Sequence, residues 1–307
     1  MFELVFLGTA GSVPSVERGL PALLVAFGRH RVLVDCGEGT QRQLRRSGAG
    51  YRRIDRVLLT HADLDHVLGL GGLTATLALQ AAESALAIHG GRRTLGFVRR
   101  YLVDAVWAGR PPLALALHEL TPGLVWEEDG FRITCFRVRH RDTDSFGFRF
   151  AAIARRHLDP GRVAALAIPE DPARRDLAQG IAVTLPDGRS IDPDAVLGPP
   201  RAGAALVVIG DVEETQSLVE AVRGADALVI EASFLARDAD LARQRGHLTA
   251  AAAGRFAAAC GVGALYLTHL TERYPGEEIL AEARHYFPRA HLAADLARVA
   301  VSRLPSK

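Results

Sequence analysis

Leu59-Thr60-His61-Ala62-Asp63-Leu64-Asp65-His66 places four metal-binding side chains within six residues. The preceding Arg56-Val57-Leu58-Leu59 reads as a short apolar strand, and Gly69-Leu70-Gly71-Gly72 loosens the chain before an Ala-rich helix. The four groups therefore sit on a tight loop between a strand end and a helix, where side chains converge. Imidazoles and carboxylates together suit zinc or a similar divalent ion, and four are more than one ion usually takes from one loop. The spacing points to a two-metal centre. The bland alternative is a solvated acidic turn with two incidental histidines, and ligand-type residues elsewhere argue against it.

Those residues fall at strand ends. His140 ends Phe136-Arg137-Val138-Arg139, Asp211 follows Gly210 after Ala205-Leu206-Val207-Val208-Ile209, and His269 ends Leu265-Tyr266-Leu267-Thr268. A lone histidine in such a place is more often a satisfied structural group. Recurrence at three ends of buried strands, where side chains reach a common cleft, reverses that expectation.

The 307 residues are 49% hydrophobic and 23% charged, enough apolar material for a large core. The net charge of +2 neither requires nor excludes an RNA partner. Lys307 is the only lysine, so arginine, which grips phosphate through two parallel donors, supplies nearly all the positive charge. Cys36, Cys135 and Cys260 lack CxxC spacing and predict no disulfide framework. Met1-Phe2-Glu3-Leu4-Val5-Phe6-Leu7 reads as a first strand, not a signal peptide, and no apolar run is long enough to span a bilayer. A cytoplasmic, membrane-free protein is expected.

Strands are predicted at 2–7, 22–27, 31–35, 55–60, 131–139, 146–153, 205–209, 227–230 and 264–268. Helices are predicted near 71–88, 92–106, 214–223, 249–260 and 276–286. The stretch 155–203 holds seven prolines and few large apolar residues. It suggests a protruding or loosely packed segment, with a short strand at 181–185.

On these residues the chain resembles the metallo-β-lactamase fold and, more narrowly, the ribonuclease Z family of zinc endonucleases. The resemblance rests on Phe6-Leu7-Gly8-Thr9 with Val13-Pro14, and above all on Asp35-Cys36-Gly37-Glu38-Gly39-Thr40-Gln41. Further matches are Thr60-His61 with Asp65-His66, Gly147-Phe148, Gly210-Asp211, Glu231-Ala232, Gly246-His247, and Thr268-His269 with Arg273-Tyr274. It implies an α/β fold, an αββα sandwich of two mixed sheets with outer helices. It also implies one domain over 1–307, with 155–203 as an inserted arm.

The resemblance further implies two zinc ions per chain. One would be held by His61, Asp63, His140 and Asp211, the other by Asp65, His66, Asp211 and His269, with Asp211 bridging. Asp65 would orient or deprotonate the attacking water, and His247, just before a helix capped by Thr249, would protonate the leaving oxygen. Glu38, Thr40 and Gln41 would shape the loop. The implied activity is removal of the 3′ trailer from precursor tRNA by a homodimer in which one subunit's arm grips tRNA cut by the other. The alternative is a phosphodiesterase or other hydrolase of this fold acting on a small substrate, with an altered first metal site.

Three departures stand out. Asp63 occupies a position where the family carries histidine, which favours harder ions such as manganese or magnesium there. The arm tip reads Ile168-Pro169-Glu170-Asp171-Pro172-Ala173-Arg174-Arg175, and 151–203 holds seven arginines against seven acids. The arm thus has no net positive charge to attract phosphate. The N-terminal loop, Pro14-Ser15-Val16-Glu17-Arg18-Gly19, lacks the lysine and asparagine common in the family.

Overall fold

Alternating apolar positions build two sheets that bury one face against each other and the other against helices. The computed structural model describes residues 1–80, 85–128, 130–170 and 172–303, so Asp171 and Lys307 lie outside the described residues. The first sheet contains β1 (Phe2–Gly8), β2 (Ala22–Phe27), β3 (His30–Val34), β4 (Ile54–Leu58), β5 (Ala85–Gly90) and β6 (Ala114–Glu119). The second begins with β7 (Gly123–Glu128), β8 (Phe131–Arg137) and β9 (Phe146–Ala152). A two-stranded ribbon, β10 (Val183–Thr184) with β11 (Ser190–Ile191), intervenes in sequence. The second sheet then adds β12 (Ala205–Val208), β13 (Ala227–Glu231), β14 (Ala264–Thr268) and β15 (Ala290–Leu292), while β16 (Arg298–Val301) returns to the first. Each large sheet has seven strands, ordered β16-β1-β2-β3-β4-β5-β6 and β15-β14-β13-β12-β9-β8-β7.

Both sheets are mixed. β3 to β6 run parallel, as do β12 to β15, while β1 pairs antiparallel with β2 and β16. Parallel pairing brings the carboxyl ends of successive strands to one edge, where side chains can meet. Between the sheets Phe2 sets its ring edge-on to Phe131 and Phe150, at centroid distances of 6.4 and 6.3 Å. Each of these rings is almost wholly buried, and truncating one to alanine costs about 3–5 kcal/mol.

The outer faces are covered by helices. Behind the first sheet, α1 (Thr40–Arg46), α2 (Leu64–Val67), α3 (Leu70–Gln80) and α4 (Arg92–Val98) supply Leu44, Val67, Leu73 and Val98 to a core with Leu33, Val57 and Ile88. A π-helical turn, Arg99–Val106, extends α4. The 152–203 segment is a compact unit of its own. Its α5 (Pro160–Ala165), α6 (Ala173–Ala178) and α7 (Pro193–Val196) enclose Val163, Ile168, Leu177, Leu185, Ile191 and Val196. Behind the second sheet, α8 (Val219–Val222), α9 (Ala239–Arg245), α10 (Ala250–Cys260) and α11 (Gly276–Tyr286) bury Val222, Ala242, Phe256 and Ile279. The side chain of Thr249 caps α10 by accepting from Ala252 N at 3.2 Å, and α11 spans the expected residues.

The helix expected at 71–88 ends at Gln80, and residues 81–84 lie outside the described residues. Ala85–Gly90 is a strand instead, paired with β4 and β6. Alanine-rich composition favours a helix, but Leu86 and Ile88 alternate into the apolar layer, and tertiary pairing overrides the propensity. β6 shows a similar Ala-Leu alternation, whose pattern alone does not mark a strand. No helix among the described residues is long and apolar enough to cross a membrane.

Candidate metal centre

The loop after β4 carries His61, Asp63, Asp65 and His66 into a cleft that His140, Asp211, His247 and His269 enter from the second sheet. Asp211 follows β12, His269 follows β14, and His140 lies three residues beyond β8. Two close approaches draw the sheets together here. A Cβ on Gly210 would stand 2.7 Å from Thr60 Oγ1, and one on Gly11 would stand 2.4 Å from His269 Nδ1. Asp35 and His269 adopt left-handed backbone angles, φ 58° and 56°, which cost non-glycine residues about 1–2 kcal/mol each.

The geometry sorts the side chains into overlapping groups, each with its ligand-type atoms within 4.8 Å of one another. One comprises His61, Asp63, His140 and Asp211, another Asp65, His66 and His269, and a third Asp211, His247 and His269. Asp211 faces both sides. Its Oδ1 lies 3.4 Å from His66 Nε2 and 3.2 Å from His269 Nε2, while Oδ2 lies 3.6 Å from His61 Nε2 and 3.9 Å from His140 Nε2.

Four histidines are oriented through the opposite ring nitrogen. Nδ1 of His61 lies 3.0 Å from Thr60 Oγ1, and that of His66 lies 2.8 Å from Asp35 Oδ2. Nδ1 of His140 donates to Gly246 O at 2.8 Å, and that of His269 lies 2.9 Å from Ser233 Oγ. Every Nε2 is thereby turned into the cleft. His61 Nε2, His66 Nε2 and Asp211 Oδ1 are buried with no hydrogen-bond partner among the described residues. Three such orphans converging are costly unless a cation engages them. Histidine ligands held from behind by a carboxylate, hydroxyl or carbonyl are the arrangement metal sites require.

The electrostatics favour positive charge in the cleft. Burial opposes ionisation of Asp211, yet His269 and His66 hold its carboxyl well below the usual range. Asp63 and Asp65 are likewise kept ionised against burial, the former by His140 and His61, the latter by His269 and His66. His61 is pushed down by burial and by His66, which leaves a neutral ring with a lone pair to give. Burial opposes the charging of His66, but Asp35 and Asp211 prevail and raise it.

His247 stands at the edge of this cluster. Its Nδ1 lies 3.0 and 3.1 Å from the two oxygens of Glu231, and 3.8 Å from Asp211 Oδ2. Glu231 is wholly buried and is fixed by Val212 N at 2.8 Å and Ser233 Oγ at 2.6 Å. A pocket of about 380 Å³ opens beside it, lined by Ser12, Phe234, Arg245, His247, His269 and Arg273 among others.

Several groups at the centre had no role assigned from sequence. Asp35, Thr60, Glu231 and Ser233 orient the histidines, and Ser12 N donates to Asp65 Oδ2 at 2.8 Å. Arg141 contacts Asp63 through Nη2 and donates from Nε to His140 Nε2 at 3.2 Å. Asp35 carries a signal, a carboxylate at the end of a buried strand. Arg141, 78 residues from Asp63, carries none. Thr40 bonds Gly37 O at 2.7 Å and Tyr51 bonds Gln41 O at 2.8 Å, so this run shapes its loop, while Glu38 is exposed.

A profile of the Beta-lactamase superfamily domain matches residues 30–175. The chain is 57% identical over 301 residues to Ribonuclease Z of Bradyrhizobium diazoefficiens, covering 98% of this chain and 100% of that one. Among solved structures, the metallo-β-lactamase fold protein YhfI from Bacillus subtilis superposes with a TM-score of 0.70 at 19% identity, covering 97% of this chain and 98% of that one. The short form of human tRNase Z superposes with a TM-score of 0.69 at 24% identity, covering 97% of this chain and 99% of that one. With its two seven-stranded mixed sheets and outer helices, the chain has the metallo-β-lactamase fold and belongs to the ribonuclease Z family.

Proposed function

We propose that the chain is a zinc-dependent endoribonuclease that removes the 3′ trailer of precursor tRNA. The observation that carries this reading is the set of four histidines held from behind, their Nε2 atoms converging on Asp211. His61, Asp63, His140 and Asp211 would hold one ion, and Asp65, His66, Asp211 and His269 a second. Asp211 would belong to both sets, since its carboxylate lies near the histidines of each. Divalent ions bound there would supply Lewis-acid activation of water and charge neutralisation for a phosphodiester. Zinc suits the imidazole-rich set, while the carboxylate of Asp63 admits manganese or magnesium at its group.

Asp65 is placed to take a proton from the attacking water. It is held ionised, fixed by Ser12 N, and it faces the cleft. His247 is the proton donor to the leaving oxygen. Burial opposes its charging, but Glu231 overcomes this and raises it, and its ring borders the open pocket. Glu231 positions His247 without touching the substrate.

We read 152–203 as an arm inserted in a single catalytic domain, the assembly as a cytoplasmic homodimer, and precursor tRNA as the partner. One observation favours the small-substrate phosphodiesterase alternative: Arg156, Arg162, Arg174 and Arg189 of the arm are all bonded to the arm's own carbonyls. The deciding experiment incubates the zinc- and then manganese-loaded protein with a precursor tRNA and maps the cut. Cleavage of a chromogenic phosphodiester without cleavage of precursor tRNA would overturn the proposal.

A further inference from the structure

The arm's arginines raise the question of what attracts RNA. Seven acids balance its seven arginines, and at least four of those arginines are spent on internal carbonyls: Gly198, Leu197, Ile168 and Leu166. The chain as a whole carries only +2. Any electrostatic hold on a polyanion must therefore come from charge gathered locally elsewhere.

Such a gathering exists at the far end of the first sheet. The β2–β3 turn, the start of β3, the end of α1 and the stretch before β4 surround an open pocket of about 520 Å³. Arg29, Arg31, Arg45, Arg52 and Arg53 line it, and no acid among the described residues does. Two of the five have structural duties. Arg31 donates to Ala49 O at 2.5 Å, which shapes the loop, and Arg29 lies 3.4 Å from Glu128. Arg45, Arg52 and Arg53 are exposed, and their guanidinium groups have no bonded partner among the described residues.

We propose that this basin binds backbone phosphates of the RNA substrate, remote from the cut. The inference rests on the endoribonuclease reading above and deepens it. Guanidinium forks engage phosphate oxygens through two parallel bonds, and three unpartnered ones around a single pocket form a phosphate-binding surface. The basin flanks the start of β4, whereas the ligand loop follows its end. Five residues at about 3.3 Å each separate the two by roughly 16 Å. A phosphodiester of a few atoms in the cleft does not span that distance. A nucleic acid, rising about 3.4 Å per step, spans it within about five.

The test is the triple variant Arg45→Gln, Arg52→Gln, Arg53→Gln, whose side chains are exposed and whose fold is checked by circular dichroism. Cleavage of precursor tRNA is measured from 50 to 200 mM salt beside hydrolysis of a chromogenic phosphodiester. The expected result is a KM for precursor tRNA raised about tenfold and a log–log salt slope reduced by about two, since fewer counterions are released. Hydrolysis of the small ester stays at the parent rate. A parental KM and salt slope for precursor tRNA overturn the basin while leaving the endoribonuclease reading intact, as does an equal loss on both substrates. A wild-type protein that hydrolyses the small ester but never cuts precursor tRNA overturns both.

Discussion

Arg141 contacts Asp63 through Nη2 and donates from Nε to His140 Nε2, so one guanidinium engages two ligand-type atoms of the first metal group. The same Asp63 oxygen lies 3.7 Å from both His61 Nε2 and His140 Nε2. A metal ion would have to share or displace this internal cation. Arg141 is half exposed and Asp63 about a third, so the pair contributes at most about 1 kcal/mol. Arg141→Ala should therefore tighten the first-group ion by about fivefold at most. Competition with a chromophoric chelator measures this, and an unchanged affinity would show that Arg141 does not compete. Asp63→His should keep the activity and shift the metal preference towards zinc, because imidazole is the softer donor.

Asp65 is the residue whose loss separates chemistry from folding. Asp65→Ala removes an acceptor for Ser12 N, worth about 1 kcal/mol, and leaves the adjoining His66 and His269 anchored by Asp35 and Ser233. Turnover should fall by about 10²–10⁴ while the denaturation midpoint barely moves. Full activity in this variant would remove Asp65 from the mechanism.

Much of this centre was legible because metal ligands have a short chemical vocabulary and strand ends announce themselves. His61, Asp63, Asp65 and His66 sit in one run, Asp211 and His269 each follow an apolar stretch, and His140 follows an alternating one. The groups behind them were not legible as such. Ser233 and Thr60 are ordinary hydroxyls until folding puts them against His269 and His61. The fold was readable where strands were β-branched, as in β12 and β13. It is not readable at β5, where alanine alternates with leucine and only partners on both sides make a strand.

His247 and Glu231 make a prediction as a pair. His247→Gln removes the proton donor and should lower kcat by about 10²–10⁴ with KM for precursor tRNA little changed. Glu231→Gln keeps the shape but removes the charge facing His247 Nδ1, so kcat should fall less and the alkaline limb of the pH–rate profile should move. A profile that stays in place would reduce Glu231 to a packing role.

The arm offers a stability test. Arg174 donates twice to Ile168 O, at 3.2 and 2.9 Å, beside the small apolar cluster of Ile168 and Leu177. Arg174→Ala should loosen this unit by about 1–2 kcal/mol and expose cleavage sites within 152–203 to limited proteolysis. Hydrolysis of a small phosphodiester should be unaffected. Parental protease resistance would mean that the two bonds contribute little.

His89 makes the fold sensitive to acid. It is 5% exposed, and its Nε2 lies 2.8 Å from Arg56 Nη1, whose guanidinium is stacked 4.1 Å over Trp126. Burial first, then Arg56, then the stacked His118 ring push its pKa down to about 4. The unfolded chain titrates this histidine near 6.5, so the unfolded state takes up the proton first. The stabilisation is complete above about pH 6.5 and is lost as the pH falls towards about 4, on the order of 3 kcal/mol at most. Urea denaturation at pH 7.0 and 4.5 should show the loss, and His89→Gln, which carries no proton in this range, should flatten it. An equal fall in the variant would assign the acid sensitivity to other groups.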